Sequence, residues 1–241
     1  MEAIILAGGL GTRLRSRLTD LPKSMAPVGR RPFLAHLLDR MVTGGYERVL
    51  LSVGYRREAI LETFGSEYKG VPLHYVVEEE PLGTGGAIRL ALADVRGESA
   101  LVINGDTYLD LDGAGMAALH TRTGSEMTIA VTEVEDMARY GGVVIDGERV
   151  TGFIEKGQQG NGWINAGAYM LRRDFPWPPG LAPKFSFEND VLVPFVGELQ
   201  PVVFRHHGTF LDIGVPEDLD RAQELFSGPA PDGRAIGING E

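Results

Sequence analysis

Ile4-Ile5-Leu6-Ala7-Gly8-Gly9-Leu10-Gly11-Thr12-Arg13-Leu14, followed by Pro22-Lys23, is the stretch whose reading decides the fold. An apolar run that ends in a glycine cluster and then a cation has the form of a buried strand opening into a loop. Such a loop offers bare backbone N–H groups to an anion. Outward from it, Pro32 to Met41 carries apolar residues at helical spacing and is closed by Gly44-Gly45. Val49–Val53 then reads as a buried strand, Glu58–Phe64 as a helix, Leu73–Val77 as a strand, Gly85–Ala93 as a helix and Ala100–Ile103 as a strand. Strands that alternate with helices and are apolar throughout imply an α/β, doubly wound, mainly parallel sheet, with ligands at the carboxyl ends of the strands.

From Met127 the texture changes to strands with fewer helices: Met127–Val134, Gly142–Asp146, Val150–Glu155 and Ile164–Leu171, the middle pair joined as a hairpin through Gly147-Glu148-Arg149. A short helix over Val191–Phe195, a strand over Pro201–Phe204 and a helix over Pro216–Phe226 complete the pattern, with Glu217 and Asp218 favouring the positive end of the last helix. Residues 1–227 are thus expected to form a single domain, with an alternating strand–helix half at 1–125 and a β-rich half at 126–227. Residues 228–241, rich in glycine and proline, read as a loose tail.

The composition narrows the chemistry. Without cysteine there is no disulfide, thiol catalysis or cysteine–zinc site. A formal charge of −10 argues against a nucleic-acid backbone as partner, although a few placed cations and Mg²⁺ can still hold a triphosphate. No long apolar segment suggests a membrane span or signal peptide, so a cytoplasmic location is expected. Adjacent His206 and His207 would point to opposite faces of a strand and read as surface histidines, while Asp110 and Asp112 read as solvated loop acids. No nucleophile elbow surrounds Ser186, and no hydrolase triad is evident.

Two phosphate motifs fail on the opening loop. A Walker A loop needs Lys-Ser/Thr after its last glycine, where Thr12-Arg13 stands. The Rossmann dinucleotide fingerprint needs a small residue at Leu14 and an acid some twenty residues on. The stretch instead resembles the G-x-G-T-R…P-K signature of the sugar-1-phosphate nucleotidyltransferases, although Ser24 departs from the proline often found there.

Further segments carry the resemblance in the same order: Glu78-Glu79-Glu80-Pro81-Leu82-Gly83-Thr84-Gly85-Gly86-Ala87, Asn104-Gly105-Asp106, Tyr140-Gly141-Gly142, Phe153-Ile154-Glu155-Lys156, Ile164-Asn165-Ala166-Gly167 and Phe210-Leu211-Asp212-Ile213-Gly214. It implies the nucleotide-diphospho-sugar transferase fold, a Rossmann-like sheet with a sugar-binding β-rich half. It implies that Arg13 and Lys23 are the catalytic cations, on the triphosphate and near the α-phosphate. Leu6, Ala7, Gly8, Gly9, Gly11, Thr12, Glu78, Pro81, Gly83, Thr84, Gly85 and Asp106 are implied as the nucleotide site, the 78–87 segment gripping the base through backbone amides. Tyr140, Gly142, Glu155, Lys156, Asn165 and Gly167 would hold the sugar phosphate, and Asp106 and Asp212 would ligate Mg²⁺.

Ser24-Met25-Ala26-Pro27, Ser52-Val53-Gly54-Tyr55, Glu80–Ala87 and Phe185-Ser186-Phe187-Glu188 bring the likeness nearest to the short heptose 1-phosphate guanylyltransferases, which implies GTP and a sugar 1-phosphate as partners. A hexose-1-phosphate nucleotidyltransferase using GTP, UTP or CTP is the alternative within the class. Outside it stand a non-catalytic nucleotide-sugar sensor and a dinucleotide-dependent oxidoreductase. The sensor is opposed by the joint presence of Arg13, Lys23, Asp106 and Asp212. A monomer or homodimer is expected. Trp163, two residues before Asn165 on one strand, should share its face and could lie beside the sugar.

Overall fold

The computed structural model describes residues 1–9 and 21–227. Gly11, Thr12, Arg13 and the expected tail at 228–241 lie outside the described residues. In chain order the elements are β1 (Glu2–Leu6), β2 (Pro27–Val28), β3 (Arg31–Pro32), α1 (Phe33–Thr43), β4 (Arg48–Val53), α2 (Arg57–Phe64), β5 (Glu67–Tyr68), β6 (Val71–Val77), α3 (Gly83–Leu92) and β7 (Ser99–Asn104). There follow β8 (Thr107–Leu109), α4 (Gly113–Thr123), β9 (Met127–Val134), β10 (Gly142–Asp146), β11 (Arg149–Ile154), β12 (Gly162–Arg172), α5 (Val193–Leu199), β13 (Val202–His206), β14 (Phe210–Asp212) and α6 (Pro216–Ser227).

Ten strands form one sheet in the order β10-β11-β13-β9-β12-β7-β1-β4-β6-β5. β7, β1, β4 and β6 run parallel, β12 lies antiparallel between β7 and β9, and β13 runs parallel to β9. The parallel strands are apolar at nearly every position because both faces are covered. Ala3 and Ile5 of β1 point into one core with Phe33, Leu37 and Met41 of α1 and Met116 of α4. Ile4, the alternate residue, points into the other with Ile88 and Leu92 of α3, Phe185 and Phe187.

α4 was not expected, since its sequence Gly-Ala-Gly-Met-Ala-Ala-Leu-His-Thr-Arg-Thr has two glycines in its first turn and little amphipathic contrast. It forms because Asp112 caps it, accepting from the Gly115 N–H at 2.9 Å, and because Met116 and His120 are buried beneath it. Asp112 is therefore a helix cap and not merely a solvated acid. His206 also departs from expectation: it is buried, at 5% exposure, donates from Nε2 to the Thr209 carbonyl at 3.1 Å and lies 3.2 Å from Asp110. Only His207 is at the surface. Adjacent strand residues do point to opposite faces, and for His206 that face is the core.

Candidate active site

The carboxyl ends of β1, β4, β6 and β7 remain tied together past their ladders. Ala7 N–H donates to Ser52 O at 2.8 Å, Glu78 N–H to Val53 O at 2.8 Å and Gly105 N–H to Leu6 O at 3.1 Å. At Gly105 a Cβ would stand 2.4 Å from the Leu6 carbonyl, so only glycine lets β7 pass so near the end of β1. Above this floor opens a cavity of about 290 Å³. Leu6, Ala7, Gly8, Gly9, Lys23, Glu78, Pro81, Gly83, Thr84 and Asp106 line it, and these were all expected from the sequence. Ser24, Ala87, Asn104 and Gly105 also line it and were not. Ser24 and Gly105 adjoin Lys23 and Asp106, and Ala87 and Asn104 fall inside motif segments quoted above, which was the available signal. Ser24 is buried, with its hydroxyl 3.4 Å from the Ala7 carbonyl, so the departure from proline adds a link between the Lys23–Met25 turn and β1.

The 78–87 segment is braced from two sides. Glu78 takes the Ser52 hydroxyl on one carboxylate oxygen at 2.9 Å and the Leu82 N–H on the other at 3.1 Å. From outside, Phe185 N–H donates to Leu82 O at 3.0 Å, Gly85 N–H donates to Phe185 O at 3.0 Å, and Phe187 N–H donates to the Thr84 hydroxyl at 2.9 Å. Gly85 is thus corrected in its role. Its amide is spent on Phe185, it does not line the cavity, and a Cβ there would meet the Phe185 ring at 2.2 Å. Gly85→Ala should therefore overpack the junction at a cost of about 1–3 kcal/mol. At about 2–4 °C per kcal/mol for a domain of this size, a thermal melt would reveal it. An unchanged Tm would mean that the Phe185 ring moves aside freely.

Asp106 and Asp212 are far apart in the chain and adjacent in the fold. β8 and β14 pair antiparallel with Asp212 opposite Thr107, and the Ile213 N–H donates to the Asp106 carbonyl at 2.9 Å. Lys23 reaches between the two carboxylates, its Nζ 2.5 Å from Asp106 Oδ2 and 4.0 Å from Asp212 Oδ1. Arg139, which sequence reasoning passed over although it precedes Tyr140-Gly141, lies 3.5 Å from Asp212 Oδ2 and also pairs with buried Asp218. Burial, and next the neighbouring Asp106 charge, push the Asp212 carboxyl up against the pull of Lys23 and Arg139. Its Oδ1 is buried with no hydrogen-bond partner among the described residues. An orphaned carboxylate oxygen facing a second carboxylate suits a hard divalent cation whose remaining positions are taken by water and phosphate oxygens.

The expected sugar residues gather beside this site on the second half of the sheet. Tyr140 packs edge-on against Phe210 at 5.5 Å, two residues from Asp212. The Gly157 N–H donates to the Ala138 carbonyl at 2.7 Å, joining the Tyr140–Gly142 turn to Glu155-Lys156. Glu155 and Lys156 are exposed. Asn165 and Gly167 sit where β12 loses register with β9, and the Gly167 N–H donates to Asn165 Oδ1 at 3.0 Å. Trp163 is on the Asn165 face but engaged elsewhere, edge-on to His207 at 5.8 Å with the Arg205 guanidinium 5.9 Å away. A larger cavity of about 430 Å³ opens at the other end of the strands, by Ser99 and Arg172. There Arg172 is bound to Asp174 and Glu126, and none of the expected site residues lines it.

A glycine floor at parallel strand ends, with a lysine between two carboxylates, suits a phosphate-bearing substrate held with a divalent cation. The chain belongs to the nucleotidyl transferase family, whose sequence pattern matches residues 2–224. It is 40% identical over 224 residues to D-glycero-α-D-manno-heptose 1-phosphate guanylyltransferase of Aneurinibacillus thermoaerophilus, covering 93% of this chain and 97% of that one. It is 42% identical over 219 residues to the protein of the same name from Campylobacter jejuni, covering 90% and 96%. Among solved structures, HddC from Yersinia pseudotuberculosis complexed with GMP-PN is similar, with a TM-score of 0.79, 37% identity and 93% and 99% coverage. The resemblance read from the sequence is borne out. Among the described residues no helix is long and apolar enough to cross a membrane.

Proposed function

We propose that the protein transfers GMP from GTP to D-glycero-α-D-manno-heptose 1-phosphate, releasing pyrophosphate and giving the GDP-heptose. A phosphate oxygen of the sugar 1-phosphate attacks the α-phosphorus of GTP. The new P–O bond forms as the bond to the bridging oxygen breaks, and pyrophosphate leaves with that electron pair. The nucleophile is already an anion, so no general base is required, and positioning and charge neutralisation carry the catalysis. Lys23 would act on the α-phosphate as its charge grows, and Arg13 on the triphosphate. Asp106 and Asp212 would hold Mg²⁺, which when bound would neutralise phosphate oxygens. Glu155, Asn165, Lys156 and the Tyr140–Gly142 turn, with Gly167 behind Asn165, form the sugar-phosphate side.

The observation that carries this reading is the identity of 40% and 42% to two enzymes of that name over nearly their whole length. The nucleotide-bound structural neighbour supports the guanine nucleotide. The test is pyrophosphate release with Mg²⁺ over a panel of GTP, UTP, CTP and ATP against heptose, mannose and glucose 1-phosphates. GTP with the heptose should give the highest kcat/KM. A higher value for mannose 1-phosphate, or for another base, would overturn the assignment. In a parallel thermal-shift screen, GTP at about 100 times its Kd should stabilise the protein by roughly 2.7 kcal/mol.

A further inference from the structure

The hydrogen bonds of Asn165 leave little of it for a ligand. A backbone N–H can only donate, so the Gly167 N–H fixes Oδ1 on its side and settles which way the amide points. Nδ2 then donates one hydrogen to the Tyr169 hydroxyl at 2.7 Å and the other to Glu188 Oε1 at 2.8 Å. Both donors of the Asn165 amide are spent, and one oxygen lone pair remains. Tyr169 is buried and cannot move to release it. Glu188 is different: its carboxylate is exposed, accepts only, and its second oxygen has no hydrogen bond among the described residues.

Glu188 is also held still. It opens the five-residue π turn Glu188–Leu192, a wide-turn geometry that recurs at functional sites. The Ser186 N–H donates to Asp190 Oδ2 at 2.7 Å and the Asn189 N–H to the Ser186 hydroxyl at 3.1 Å, closing the turn from both sides. Phe187 beneath it packs edge-on against Tyr169 at 5.1 Å and Trp177 at 5.9 Å. The segment just before Glu188 is the one clamped to Leu82, Thr84 and Gly85, two residues of which stand next to the nucleotide cavity and one in its wall. An acid with free lone pairs is thus carried on a rigid platform between the nucleotide loop and Asn165.

We infer that Glu188 is a specificity-determining residue of the sugar site: its carboxylate accepts hydrogen bonds from ring hydroxyls of the sugar phosphate, and Asn165 aims it. The inference deepens the function proposed above and rests on its placement of the sugar beside Asn165. Glu188→Gln keeps the side-chain shape and an oxygen for the Asn165 amide, but removes the charge and replaces the free acceptor with a donor. With heptose 1-phosphate it should raise KM for the sugar about 10- to 100-fold, the range for a hydrogen bond to a charged group. KM for GTP should stay within about twofold of wild type, since the nucleotide cavity is not lined by Glu188.

Kinetics with monodeoxy analogues of the sugar phosphate separate contact from scaffolding. Wild type should discriminate against the analogue lacking the bonded hydroxyl, and Glu188→Gln should lose most of that discrimination while keeping it at the other positions. Unchanged sugar KM, or discrimination preserved at every hydroxyl, would overturn the inference and leave Glu188 as a brace for Asn165. If wild type turned over no sugar phosphate at all, the functional reading would fall and this inference with it. Normal wild-type turnover beside an unaffected Glu188→Gln would sink the inference alone.

Discussion

Asp212→Asn is expected to reduce turnover by at least a hundredfold while making the metal-free protein more stable at neutral pH. The first half follows from charge: the substitution removes one of two carboxylates placed to share a cation, and even outer partners of a bound metal cost about 10–100-fold when lost. The second half follows from burial. Asp212 is pushed up from its ordinary value by burial and by Asp106, so its ionised form is disfavoured in the folded state. A carboxyl whose folded pKa exceeds its unfolded value favours folding fully below the unfolded pKa, and that contribution is lost as pH rises through the folded value. Wild type therefore bears at neutral pH a burial penalty on the Asp212 charge that Asp212→Asn does not. Melting in EDTA at pH 7 should show the variant ahead, with the gain shrinking as pH approaches about 4, near the ordinary carboxyl pKa. Near-normal turnover at saturating Mg²⁺ would withdraw Asp212 as a ligand. Asp106→Asn should be as damaging to turnover, and the double variant little worse than either single one, because the two acids act as a unit.

Lys23→Ala should lower kcat about 10²–10³-fold, the usual cost of removing one preorganised group at developing transition-state charge. KM for the nucleotide should change far less, because charge on the α-phosphate grows as the new bond forms and the lysine is worth most there. The ion pair with Asp106 offers a rival account in which Lys23 merely holds that carboxylate in place. The two accounts differ in their response to metal. A scaffolding lysine predicts that excess Mg²⁺ restores turnover by taking over the neutralisation of Asp106. A lysine acting on the phosphate predicts a kcat defect that no Mg²⁺ concentration repairs. A variant defective only in nucleotide KM would contradict the second.

The local sequence by itself determined the alternation of apolar strands and amphipathic helices, because burial on both faces demands apolar runs in β1, β4 and β7 and helical spacing in α1. It also determined which loops end those strands, since glycine clusters and the Asn104-Gly105-Asp106 turn are local signals. Only the tertiary structure decided which distant groups meet. Asp106 and Asp212 share a site through β8 and β14, three-residue strands too short to show a pattern of their own. Arg139 becomes a partner of Asp212 and Asp218 for the same reason. Gly85 read as one of the glycines that grip the base, yet its amide is taken by Phe185, because whether a bare backbone meets a ligand or another segment depends on chain that is about a hundred residues away. Asn165 read as a residue that bonds sugar hydroxyls, and in the fold both its amide hydrogens are already spent, with Glu188 left open beside it. A residue's type states what it can bond to, but only the packing around it states which of those bonds remain unmade.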